Sequence, residues 1–417
     1  PMKKKILIVV LFVIVKVGAQ TSTFSVIDSL FAKGRYKLAL KELDKKQPSF
    51  LSNYKKAVIY ESIDTYKKTV EYLEKALTFK DDKNAKLKLA KNYRRLKKTK
   101  EAILIYEEIL VKDSLNWVLQ YQVGKLYLIA RKPSKAVTTF KYLIHQDDTN
   151  ANYSYHLGLA YALKGQRDPM INSFIDTYVK DTLHLKAIVR LAKSFKKLND
   201  KDSTQLFIDK GLTLNKNHID LNKLKINQLF KDKKYQETIP LLLNLDTIDK
   251  KDTYSTSMLG RSYYNLDSLV AAKKYFKKLS YMDRDDFKSQ TYLGHIALKE
   301  KDFNNASMRY MMATFKGKEK RDEEYYGLGT VYFETKKLKQ AINAFEEAYK
   351  ENRSNYRALY QVAKLSDDYY KEKKIAYKQY IRYIERFYDT DEGISAFVKR
   401  RIKDIKKDYF LRGESLK

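Results

Sequence analysis

Five histidines, His145, His156, His184, His218 and His295, are the side chains of this sequence best suited to moving a proton near neutral pH. Their spacing argues against a metal centre. None forms an HExxH-like pair, and His145 and His156 stand eleven residues apart across a junction between helical stretches. The 417 residues contain no cysteine, which removes thiol catalysis, thiolate zinc sites and disulfides together. There is no GxSxG and no glycine-rich phosphate loop. The GLG at 327–329 follows no strand, so it reads as a packing position and not as a nucleotide fingerprint. Carboxylate runs such as DRDD at 283–286 read as solvated helix surface. No catalytic, cofactor-binding or metal-binding residue is assigned. What remains is binding chemistry: 84 Lys and Arg against 51 Asp and Glu give a net charge of +33, beside 35 Tyr. Such a balance attracts polyanions and says nothing of fold.

The elements that position these groups are helical. With 13 Gly and 5 Pro, and frequent Lys, Leu and Ala, the chain has few breakers and reads as all-α. The N-terminus, MKKKILIVVLFVIVKVGA from Met2, sets three lysines before an apolar run, Ile6 to Val15, that ends in small residues. That order matches a secretory signal peptide cleaved after Ala19. The run is too short for a membrane span, which needs about 20 apolar residues.

Small residues recur at Ala90, Gly124, Gly158, Ala192, Gly260, Gly294, Gly329 and Ala363, with Ile226 filling the one gap. The step is 34 residues throughout, except for 35 between Gly294 and Gly329. Three positions after these anchors stand Tyr93, Tyr127, Tyr161, Phe195, Leu229, Tyr263 and Tyr332. Twelve after come Ala102, Ala136, Ala272, Ala306 and Ala341. Four further on, one helical turn along the same face, come large residues such as Phe140, Phe174 and Phe345. Two weaker units precede these, around Ala57 and Ile27, making eleven.

This pattern resembles the tetratricopeptide repeat, a helix-turn-helix unit of 34 residues. The small anchor lets the two helices approach, and the large residue fills the gap beside it. The sequence departs from the family in lacking its early tryptophan and its terminal proline. Junction residues such as Asp148 and Thr182 stand where the proline would be and are candidates to cap the next helix. The resemblance implies a right-handed superhelical solenoid over 20–391. After it, Ile394, Phe397, Val398, Ile402, Ile405 and Tyr409 form one apolar stripe within 392–417, as a capping helix and its tail require.

In this family the first helices of the repeats line a concave groove. One position after the anchors stand Lys91, Lys125, Lys193, Asn227, Arg261, His295, Thr330 and Lys364, among others. Three before them stand Tyr121, Tyr155, Lys223, Tyr326 and Tyr360. These thirteen are the candidate partner contacts, a cationic and aromatic set suited to an acidic protein or peptide segment. Sampling a chain rich in Lys and Tyr everywhere would give a similar set, and both readings stand at this level. Lys223, Asn227 and Lys288 resemble part of the family's carboxylate clamp, but Met258 and Tyr292 replace two of its members. The expectation is an exported, non-enzymatic scaffold of the bacterial envelope, periplasmic or secreted. The alternative is a charge-driven binder of anionic surfaces such as lipid headgroups or acidic glycans. No recognition motif accompanies the charge, so nucleic acid is not expected as a partner.

Overall fold

The computed structural model describes residues 24–316 and 320–416, and the signal-peptide reading therefore lies outside the described residues. All regular structure among them is helical, and the chain is an all-α helical repeat solenoid. Two compact units meet in sequence between Leu214 and Asn215.

Among the described residues the first unit holds six helix pairs, beginning with helices at 24–32 and Tyr36–Asp44 and ending with Leu185–Lys197 and Lys201–Leu214. The second holds five pairs, from Ile219–Lys231 and Tyr235–Ile248 to Tyr356–Tyr369 and Lys373–Phe387. It closes with a longer helix, Glu392–Leu411. That closing helix buries Val398, Ile405 and Tyr409 in a cluster with Leu359, Ala363, Tyr380 and Tyr383 of the last pair.

The anchors explain why each pair closes. A β-carbon built on Gly124 would lie 2.8 Å from the Phe140 ring, and one on Gly158 would lie 2.6 Å from that of Phe174. Gly260 meets Phe276 at 2.9 Å in the same way. The first helix thus lacks a side chain where the second inserts a ring. Gly327, in the GLG triplet, would put its β-carbon 2.4 Å from Tyr310, whose ring is also met by Gly294. The triplet is a packing feature.

Most first helices begin with a side-chain cap eight positions before the anchor, Arg321 before Gly329 being an exception. Asp82, Asn116, His184, His218, Asp252, Asp286 and Asn355 each accept the backbone N–H three residues on. This satisfies a donor that the helix itself cannot. The caps at the junctions singled out above are Asn150 and His184, not Asp148 and Thr182. The capping residue must directly precede the first helical residue, and those two stand two positions too early. Inside the pairs, the turn places the residue seven after the anchor at positive φ: Lys97 (59°), Arg131 (53°), Gly165 (73°), Asn199 (59°), Lys233 (59°), Asp267 (57°), Lys301 (59°) and Lys336 (59°).

Candidate partner-binding faces

In the first unit the candidates gather on the first helices of the fourth and fifth pairs, Trp117–Ile129 and Ala151–Lys164. The Lys125 ammonium lies 4.5 Å from the centre of the Tyr121 ring, one turn back on the same helix. Burial pushes the Lys125 pKa down, helped by the charge of Arg94, and pushes that of Tyr121 up. No carboxylate among the described residues pairs with Lys125.

Tyr121 in turn packs against Tyr153 and His156, at 5.5 and 5.2 Å between ring centres. His156 Nδ1 lies 2.7 Å from the Asn152 carbonyl, which fixes the proton on that nitrogen. Burial holds the imidazole below its ordinary pKa, with the charges of Lys125, Lys186 and His184 acting the same way. Tyr155 is buried, its ring between Phe174 and His184 at 5.7 and 4.8 Å, so it supports the face from beneath. Lys91 is exposed and Lys193 half-buried.

In the second unit several candidates are already engaged. Lys223 pairs with Asp252 at 3.2 Å and sits 4.7 Å over the Tyr254 ring. The Tyr254 hydroxyl donates to Asn227 Oδ1 at 3.1 Å, and burial pushes its pKa up to about 12. His295 bridges Tyr310 Oη (2.7 Å from Nδ1) and Glu323 Oε1 (2.9 Å from Nε2). The hydrogen bond from His295 holds the Glu323 carboxyl below its ordinary range. A Glu–His–Tyr series has the look of a nucleophile relay. Here the Tyr310 side chain is fully buried and burial raises its pKa, so the series ties helices together and presents no hydroxyl to a substrate.

Arg261 differs. Its guanidinium lies 4.7 Å from the Phe230 ring centre and its Nη1 lies 3.7 Å from Met258 Sδ, while its buried Nε has no hydrogen-bond partner. Tyr326 packs edge-on against Phe345 at 5.0 Å, and the Thr330 hydroxyl donates to the Tyr326 carbonyl at 3.0 Å. Tyr360 is covered by the closing helix, 5.9 Å from Phe397, and Lys364 is exposed.

Tyr254, Phe230, Glu323 and His156 belong to these faces but are absent from the sequence-derived set. Tyr254 and Glu323 each stand six before their own anchor and meet the residue one after the preceding anchor, Asn227 and His295. Six before and one after are seven apart, two turns on one helical face. That spacing was readable, but the pairing partner sits in the next repeat. Among the described residues no three His, Asp or Glu side chains gather as a metal site, and no helix is long and apolar enough to cross a membrane.

Residues 84–114 and 325–355 match tetratricopeptide-repeat family models. The two matched segments fall in the third and tenth pairs of the register, and the chain carries tetratricopeptide repeats. Among solved structures it is similar to yeast Tom70, at 13% identity over 94% of this chain and 96% of that one, with a TM-score of 0.41. PilF of Pseudomonas aeruginosa aligns at 15% identity over 54% of this chain and 99% of that one, with a TM-score of 0.42. YrrB, described as a TPR protein with an unusual peptide-binding site, aligns at 15% identity over 45% and 97%, with a TM-score of 0.39. No curated protein matches the chain in sequence.

Proposed function

We propose that this protein is a non-enzymatic scaffold of the bacterial cell envelope that holds an acidic partner segment against the first helices of its repeats. Tetratricopeptide repeats are protein-interaction units, which supports the scaffold role. The observation that carries the acidic partner is Arg261. Its buried Nε has no acceptor, and no carboxylate among the described residues pairs with its guanidinium. An unmet buried donor costs about 1–3 kcal/mol, more when charged. The buried Nε is closed to a partner, so a partner carboxylate would meet the outer nitrogens of the guanidinium, in a charge-assisted bond. Lys125, held beside Tyr121 without a counter-ion, offers the first unit a similar contact. Lys91 and Lys364 add exposed charge on two other first helices, Lys83–Arg95 and Tyr356–Tyr369.

Charge reversal at both sites tests the reading. Lys125→Glu with Arg261→Glu is expected to abolish recovery of the partner from native extract while leaving helical circular dichroism unchanged. Undiminished recovery would show that these faces are not where the partner binds. The envelope setting rests on the N-terminal sequence alone. N-terminal sequencing of the protein from its own cells should find a chain starting after Ala19, and one still starting at Met2 would contradict export.

A further inference from the structure

The closing helix, Glu392–Leu411, has two faces with separate tasks. Its apolar face is committed: Val398, Ile405 and Tyr409 are buried on the last repeat, and Arg401 Nη2 reaches Asp367 Oδ2 at 2.8 Å. Its outer face carries Lys399, Arg400, Lys403, Lys406 and Lys407, all exposed. At about 100° per residue these five cations fall within roughly 120° of the helix circumference. Asp404 and Asp408 lie beside that arc and face Arg401 and Arg412 at 3.6 and 3.8 Å, while Glu392 falls within it in the first turn, about 10 Å along the axis from Lys399. None of the five cations is in an ion pair among the described residues. Lys399 sits 3.8 Å from the Tyr388 ring centre and Arg400 5.6 Å from that of Phe397.

At the C-terminal end of the same face Phe410 is 82% exposed and Leu411 70% exposed. Two large apolar side chains left in water at the end of a cationic stripe are a second, independent feature of this surface. We infer that the outer face of the closing helix docks on an anionic lipid surface, its lysines against the headgroups and Phe410 and Leu411 dipping into the headgroup boundary. This inference is independent of the first-helix faces and leaves them open to a protein partner.

The shape of the face selects this occupant. The outer side of one terminal helix is convex and has no groove to seat a peptide's side chains. A bilayer meets such a helix along its length, about 30 Å for 20 residues. Basic residues near an anionic leaflet and apolar side chains at its boundary are the two contributions that hold such helices. Here the helix keeps its apolar face on the protein and binds without undocking.

The test is co-sedimentation of the full chain with phosphatidylcholine vesicles with and without phosphatidylglycerol. Binding is expected only to the phosphatidylglycerol vesicles, and it should weaken as salt rises. Each lysine near an anionic surface is worth about fivefold in affinity. The triple variant Lys403→Glu, Lys406→Glu, Lys407→Glu should therefore lose at least about 100-fold. Phe410→Ser with Leu411→Ser should weaken binding without changing its salt dependence. A control with equal charge change elsewhere, Lys100→Glu, Lys274→Glu, Lys277→Glu, should stay within a few-fold of wild type. Equal losses in both triple variants would reduce the effect to overall charge and overturn the site. So would binding to polyglutamate but not to vesicles, or undiminished vesicle binding by the closing-helix variant.

Discussion

A β-carbon added to Gly329 would lie 2.8 Å from the ring of Phe345, sixteen residues later in the paired helix. The same sixteen-residue pairing joins Gly124 to Phe140, Gly158 to Phe174, Gly260 to Phe276 and Gly294 to Tyr310. Where the anchor is Ala192 its counterpart shrinks to Ile208, and where it is Ile226 to Leu242. Volume added on the first helix is matched by volume removed on the second. Ala90 opposite Tyr106 departs from the trend.

This relation gives the first prediction. Gly329→Ala gains about 1 kcal/mol of helix propensity, while overpacking a closed core costs about 1–3 kcal/mol. We expect a net loss of roughly 0–2 kcal/mol, read as a lower urea midpoint. Gly327→Ala should cost more, because its β-carbon would come within 2.4 Å of a Tyr310 ring already bounded by Gly294. Gly393→Ala is the internal control. It has no neighbour nearer than 3.6 Å and should be neutral or stabilising.

The turns within repeats carry strain that glycine would relieve. Lys336 holds φ at 59°, and Lys97 and Lys233 do the same in equivalent turns. A left-handed conformation costs a residue with a β-carbon about 1–2 kcal/mol, partly offset by glycine's greater freedom in the unfolded chain. Lys336→Gly should raise stability by roughly 0.5–1 kcal/mol. Asn199→Gly should gain less, since asparagine tolerates this region. Thermal unfolding of each single variant checks the order.

Asp367 fastens the closing helix. It is 7% exposed and accepts from Arg401 at 2.8 and 2.9 Å and from the Tyr380 hydroxyl at 3.3 Å, with Lys373 at 3.4 Å. Removing one partner of a buried pair costs about 3–5 kcal/mol. Arg401 is partly exposed and Lys373 remains, so Arg401→Ala is expected to cost roughly 2–3 kcal/mol. Hydrogen exchange should quicken first across 392–411. Exchange that accelerates uniformly, or not at all, would show that the pair does not hold this helix.

His156 sets a pH dependence. Burial depresses its folded pKa below the ordinary 6.5, so the unfolded chain takes up its proton first as pH falls. The stability from the neutral imidazole is fully present above about pH 6.5 and is lost as pH drops from there toward the folded value. His156→Asn should flatten that slope in urea midpoints measured across the window. A slope identical to wild type would mean that other groups carry it.

The 34-residue register was readable because the glycine–ring pairing is a steric requirement that recurs in five units, with Ala or Ile holding the anchor position in the others. The eleven helix pairs follow from it directly. The candidate faces were only partly readable. Lys125 and Arg261 stand where the spacing placed them, each without a counter-ion. Lys223 and His295 are instead tied to Asp252 and Glu323, which come from the following repeat and are invisible to a scan within one unit. Tyr155 is buried by Phe174 of its own pair and His184 of the next repeat, and Tyr360 lies under Phe397 of the closing helix. The left-handed turns were hidden for another reason. Lysine and arginine occupy most of them, and neither announces positive φ as glycine would.

The central claim, that a partner lies against the first helices, is tested most directly by site-specific photocrosslinking in the native cell. A photoreactive residue is placed in turn at Lys91 and Lys364 on first helices, and at Lys141 and Lys274 on second helices, all four exposed. Discrete protein adducts are predicted from Lys91 and Lys364, mapping to an acid-rich segment, with none from Lys141 or Lys274. Adducts only from the second-helix positions, or from no position, would contradict the account.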